Sequence, residues 1–225
     1  MLQNDIDECP CIVAQMGPEP FIQAMEATPD FDLVLGGRAY DPSPYVAFAA
    51  LCLRRAVPEA GEVLSSKLMG GFMHMGKIME CGGICAVPKS GGAMAMVFED
   101  GTFDICPLAL QAKCTSTSVA AHTLYEKSRP DLLFGPGGYL DISCAQYEEL
   151  QDGRTVRVRN AAFQSSAAQN IPYQVKLEGA KTVGFRSMYM GSLGDREYSS
   201  RLCYEKLADC EKPFLSARST TSLRE

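Results

Sequence analysis

CIVAQMGPEPFIQAMEATPDFDLVLGGRAYDPSP, residues 11–44, is the stretch on which the fold class turns. CIVAQM (11–16) is a short apolar run that Gly17-Pro18 breaks. Pro18 and Pro20 suit the first turn of a helix over Glu19–Ala27. FDLVLG (31–36) is a second apolar run with the length and composition of a buried strand. Asp41-Pro42-Ser43-Pro44 then supplies cap-type side chains and prolines to start a helix through about Arg55. Two apolar strands joined by a helix-length connection predict parallel pairing with a right-handed crossover.

Beyond this stretch the pattern changes. A loop at Pro58–Gly61 leads to a helix that ends near Cys81, with Gly82-Gly83 as its stop. AMAMVFEDGTFDICPL (93–108) places Asp100-Gly101 between two β-prone runs, a hairpin signal. A helix is expected over Ser116–Lys127, then a loop over Pro130–Leu140. A short helix over Ala145–Leu150 follows, capped by Ser143 and ended by Asp152-Gly153. RTVRVRN (154–160) alternates like a strand, and YQVKLEGAKTVGFRSMYMG (173–191) reads as a second hairpin turning at Glu178-Gly179. The expected architecture is therefore α/β: a small parallel βαβ sheet running into a mixed α+β region with two hairpins. Its parts are 1–110, 111–210 and a tail at 211–225 without apolar periodicity, and the first two fit one continuous domain as well.

Composition narrows the function. At 225 residues and 46% hydrophobic content the chain can bury a sizeable core. Twenty-seven acidic against 21 basic residues give a net charge of −6, the wrong sign for nucleic acid or an anionic membrane as main partner. No uncharged apolar run approaches the roughly 18 residues of a membrane span. MLQNDIDECP at the start lacks the basic and apolar regions of an export signal. Ten cysteines without modular spacing then read as reduced thiols in a cytoplasm. Eleven methionines and no tryptophan fit a plastic core, the commoner use, or a groove for an apolar ligand.

Chemistry concentrates in FMHMGKIMECGGICAVPK (72–89), which holds one of the two histidines. On a helix His74, Lys77 and Cys81 share roughly one face, with Glu80 on a neighbouring edge. A thiol beside Lys77 or a charged His74 becomes a nucleophile; alternatively His74 or Glu80 moves a proton next to a carbonyl. The structural alternative is a buried Cys81, a solvated Lys77 and a satisfied His74. Cys81 and Cys85 lack the further ligands that zinc or an iron–sulfur cluster needs, so no metal is expected.

Gly36-Gly37-Arg38-Ala39-Tyr40-Asp41 follows an expected strand and precedes a helix, where anions bind. Arg38 is suited to grip a carboxylate or phosphate, or else pairs with Asp41. The third glycine of a dinucleotide fingerprint is missing. His122 and Glu126, four apart on an expected helix, would permit i,i+4 metal ligation or a His–carboxylate pair, and are otherwise a common surface pair. Gly137 and Gly138 offer backbone N–H groups to an anion or make a tight turn.

Five blocks resemble the acyclic terpene utilisation AtuA-like family: VAQMGPEPFIQAM, FDLVLGGRAYDPSP, HMGKIMECGGICAVPKS, TSTSVAAHTLYEKSRPDLLFGPGGYLDIS and YQVKLEGAKTVGFRS. They occur in order over about residues 11–191. The resemblance implies a role in catabolism of an organic acid or its CoA thioester. It also implies a chain of about twice this length, with an α/β half ahead of Met1, so that this chain looks truncated. After Gly191 the sequence Leu193-Gly194-Asp195-Arg196 departs from the family's continuation.

The combined expectation is a cytoplasmic protein that moves a proton or adds water next to a carbonyl, as a lyase, hydratase or isomerase. Its catalytic candidates are His74, Lys77, Glu80, Cys81 and His122; its ligand-binding candidates are Gly36, Gly37, Arg38, Asp41, Gly137 and Gly138. No cofactor is required, and a CoA thioester is a possible substrate. The alternative is a non-catalytic subunit or ligand-binding module, either as a homo-oligomer or completed by a partner polypeptide that supplies the N-terminal half.

Overall fold

Gly70 to Ile78 is buried without interruption, and a helix apolar all round lies inside a structure rather than on it. This helix, α3 (Ser66–Met79), begins where the Ser65 side chain accepts from the Leu68 N–H. Its stop is the expected one, with Gly82 at φ +53°. The computed structural model describes residues 6–57 and 64–186, and the chain divides into two units, Met1–Lys181 and Thr182–Glu225. All elements below belong to the first unit. The expected tail at 211–225 lies outside the described residues.

α3 separates two apolar clusters. Phe72 and Met73 pack with α1 (Glu19–Ala27) and α2 (Ser43–Ala56) through Phe21, Met25, Val46 and Leu51. Met75 and Ile78 pack with Phe103, Ile105, Val156 and Val158. Gly71 permits a close approach, since a Cβ there would collide with the Gly101 backbone.

The expected parallel sheet does not form. β1 (Cys11–Ala14) pairs antiparallel with β11 (Leu177–Ala180), from Cys11↔Ala180 to Ala14↔Leu177. Residues 31–36 enter no strand, and Leu33 and Leu35 stand 74% and 88% exposed. The parallel relation survives only as an isolated bridge between Met16 and Ala39. An apolar run becomes a strand only where a neighbouring edge accepts its N–H and C=O groups, and among the described residues no strand pairs with this one.

Every other sheet among the described residues is antiparallel too. β3 (Ala93–Val97) and β4 (Phe103–Pro107) form the hairpin read at Asp100-Gly101, with Gly101 at φ +82°. They extend through β9 (Val156–Arg159) to β8 (Gln146–Glu149) in the order β3-β4-β9-β8. β8 occupies the place of the expected helix at 145–150, because pairing with β9 outweighs the helix preference of its two glutamates.

β6 (Leu132–Gly135) and β7 (Gly138–Asp141) replace the expected loop at 130–140. Pro136-Gly137 makes their turn, and Gly137 takes the positive φ of +69° that glycine tolerates. β10 (Ala162–Ser165) adds to β7. β2 (Ala86–Val87) pairs with β5 (Lys113–Cys114), which leads into α4 (Ser116–Thr123). A reciprocal Thr115–Ser118 capping box starts α4. No turn forms at Glu178-Gly179, whose residues lie within β11; the rest of the proposed second hairpin reaches beyond the described residues.

Candidate functional site

Lys77 and Glu80 leave the C-terminal end of α3 three residues apart and form an ion pair, their side chains 3% and 7% exposed. The spacing places both on one face of the last turn. They line a cavity of ≈ 400 Å³ with Tyr40, Asp41, Glu126 and Lys127. Tyr40, Asp41 and Glu80 also line a second cavity of ≈ 630 Å³, whose wall carries Gly36, Gly37 and Arg38. Glu80 thus faces both spaces.

The charges interact strongly because water is scarce. Burial raises the Glu80 carboxyl above the ordinary carboxylate range, with Lys77 opposing it. Lys127 donates to the Tyr40 hydroxyl at 3.2 Å, its ammonium 4.9 Å from the ring centroid. Burial, then the Lys77 charge, lowers Lys127. Burial, then the Glu80 and Asp41 charges, raises the Tyr40 phenol. A carboxyl with raised proton affinity therefore shares a cavity with an amine of lowered proton affinity. Such paired shifts suit groups that exchange protons with a bound molecule.

The other candidates are placed differently. His74 is fully buried, between Phe103 and Tyr147 at ring-centroid distances of 5.5 and 5.7 Å. Its Nε2 meets the Thr123 hydroxyl at 3.1 Å and the Tyr147 hydroxyl at 3.2 Å. Burial pushes its pKa down to about 3, so it is a neutral core imidazole that lines none of these cavities. Cys81 is half-buried; burial and then the Glu80 charge raise its thiol, the opposite of thiolate activation. His122 is buried and stacks on Tyr125 at 5.9 Å; burial and the Lys77 charge lower it.

Arg38 pairs through Nε with Glu178 of β11 at 3.0 Å, rather than with Asp41. Gly138 lines the first cavity, whereas Gly137 donates its N–H to the Gln174 carbonyl at 3.0 Å. Among the described residues, no three His, Cys, Asp or Glu side chains are grouped to hold a metal ion. No helix there is long and apolar enough to cross a membrane.

Sequence spacing missed Tyr40 and Lys127. Tyr40 and Lys127 lie 87 residues apart and meet only through the fold. The usable signal was local: both fall within the quoted blocks, Tyr40 beside Asp41 and Lys127 beside Glu126.

Fold and cavity define an antiparallel α+β protein with a buried ion pair on the wall of a polar cavity. The model of the family described as "Acyclic terpene utilisation family protein AtuA" matches residues 2–205, and the chain belongs to that family. No curated protein and no solved structure gives a significant match.

Proposed function

We propose that the protein acts in catabolism of an organic acid or its CoA thioester, by proton transfer or hydration next to a carbonyl. The observation that carries this reading is Glu80, with raised proton affinity, facing the cavity it shares with Lys77, Lys127 and Tyr40. Glu80 takes the proton from the carbon beside the carbonyl, and the electron pair of the broken C–H bond moves onto the carbonyl oxygen. Lys127 and Tyr40 stabilise the resulting enolate by hydrogen bonding and charge. Lys77 holds Glu80 in place. Return of the proton to another carbon gives isomerisation; transfer of that proton from Glu80 to a β-hydroxyl as its C–O bond breaks releases water and gives dehydration, and the reverse gives hydration. Arg38, on the second cavity wall, holds an anionic group of the substrate.

Crotonyl-CoA is a simple probe of the hydration form. Its conjugated absorbance should decay with the native protein and persist with Glu80→Gln. Equal decay with both proteins would remove Glu80 from the chemistry.

A second reading, a module completed by another polypeptide or a second copy, has its own observation. Ile12 and Val13 of β1 are exposed, as are Leu33 and Leu35 of the segment 31–36 that enters no strand, and open apolar edges pair with other chains. Light scattering should then show a dimer that Leu33→Lys with Leu35→Lys dissociates; a stable native monomer overturns this reading.

A further inference from the structure

Lys77, Lys127 and Lys176 all line the first cavity, but they are held differently. Lys77 pairs with Glu80. Lys176 is largely exposed and pairs with Glu178 at 3.5 Å. Lys127 is half-buried and forms no ion pair with a carboxylate among the described residues; its Nζ instead donates to the Tyr40 hydroxyl at 3.2 Å. Burial, then the Lys77 charge, holds Lys127 below the ordinary lysine range, so more of it is neutral amine near neutral pH. A desolvated lysine beside a second cation is a nucleophile towards carbonyl carbon.

The backbone is bent where it delivers this side chain. Glu126 takes φ +59°, a left-handed conformation uncommon for a residue with a long side chain. Such strain persists where the surrounding structure enforces it, and it gathers at functional sites. Here it turns the chain just beyond α4, where the Lys127 N–H closes on the Leu124 carbonyl at 3.1 Å. The cavity of ≈ 400 Å³ is at the small end of the roughly 300–1,000 Å³ of small-molecule sites.

We propose that Lys127 binds a small ketone or aldehyde covalently, as an iminium formed at Nζ in the Lys77–Glu80 cavity. This goes beyond the enolate reading above, in which Lys127 acts through charge and hydrogen bonding alone. The covalent site stands on Lys127 and Tyr40. That the ligand is also an acid, and so an oxo acid, rests on the proposed function.

The step balances within the cavity. The Lys127 ammonium gives one proton to the Glu80 carboxylate. Neutral Nζ attacks the carbonyl carbon, the N–C bond forms, and the C=O π pair moves onto oxygen. That oxygen takes a second proton from the nitrogen through the Tyr40 hydroxyl, which gives a carbinolamine. Glu80 returns its proton to the new hydroxyl, the C–O bond breaks, and water leaves as the nitrogen lone pair forms the C=N bond. The iminium draws electrons from the adjacent carbon more strongly than a neutral carbonyl does. Glu80, a carboxylate again, then takes the proton from that carbon.

Trapping tests this directly. Native protein is incubated with 4-oxopentanoate or with butanone and sodium cyanoborohydride, which reduces an iminium to a stable amine, and adducts are mapped by peptide-resolved mass spectrometry. Both ketones should saturate a site at Lys127, labelled about tenfold or more above exposed Lys176. Lys127→Arg keeps a charge and a donor but cannot lose its proton, and should abolish the adduct. The native map decides the matter even if that variant misfolds. Even labelling of all lysines, labelling of Lys77 in place of Lys127, or no adduct overturns the covalent site. With no adduct, deuterium exchange into octanoyl-CoA would still leave the proposed function standing. Labelling of Lys127 by butanone but not by 4-oxopentanoate supports the covalent site and refutes the oxo acid. Labelling of Lys127 without deuterium exchange beside the ketone supports the covalent site and refutes proton transfer by Glu80.

Discussion

Replacing Lys77 by methionine keeps an unbranched side chain and removes its charge. In the native protein the Lys77 and Glu80 side chains are 3% and 7% exposed and pair with each other. Removing one partner of a buried pair costs about 3–5 kcal/mol; Glu80 borders two cavities, which places the expected loss near about 3. With an m-value of about 2 kcal/mol/M, the urea midpoint should fall by about 1.5 M. The chain contains no tryptophan, so far-UV circular dichroism is the suitable signal.

The pH dependence supplies a sign. Glu80 binds its proton more tightly folded than unfolded, so its contribution to stability is present below the ordinary value near 4.5 and declines as pH rises through the raised folded value. Lys77→Met removes the opposing charge and should extend that decline to higher pH. Lys77→Met with Glu80→Gln should recover most of the loss, because no unpaired charge remains. A single-variant cost below about 1 kcal/mol, or a double variant no better than the single, would refute burial of the pair as the controlling effect.

Other consequences can be measured in the same way. His74 stays neutral when folded, with a pKa of about 3 against an ordinary 6.5; native stability should fall as pH drops from about 6.5 towards 3, by up to about 1.4 kcal/mol per pH unit. His74→Leu should remove that slope, and an unchanged slope would place the titration elsewhere. Gly71→Ala should destabilise by about 3 kcal/mol or more in urea titration, because the added Cβ meets the Gly101 backbone; a neutral substitution would contradict the close approach. Cys81, with its thiol raised by burial and Glu80, should alkylate more slowly than exposed Cys52 near neutral pH, and the reverse order in peptide-resolved labelling would contradict that environment.

Local signals gave what local physics determines. Gly82 stops α3, and Asp100-Gly101 makes the β3–β4 turn, because a positive φ and an Asx hydrogen bond are properties of a few neighbouring residues. The parallel sheet failed because pairing is a property of two segments: residues 11–14 found residues 177–180, and residues 31–36 found no strand. β8 was hidden for the same reason. Crowding of reactive residue types did point to Lys77 and Glu80, which the fold delivers to one cavity with Asp41. His74 shares their helix, but α3 is buried on every side, so helical spacing could not separate a cavity face from a core face. Lys127 reaches Tyr40 only through tertiary structure.

The most direct test of the proton-transfer site is deuterium wash-in. The protein is incubated with octanoyl-CoA in D₂O, and isotope at the carbon beside the thioester carbonyl is followed by mass spectrometry. Proton abstraction by Glu80 predicts incorporation well above the protein-free rate, reduced at least a hundredfold in Glu80→Gln, the lower end of the effect of a general base. Incorporation that is equal with native protein and Glu80→Gln would contradict the account.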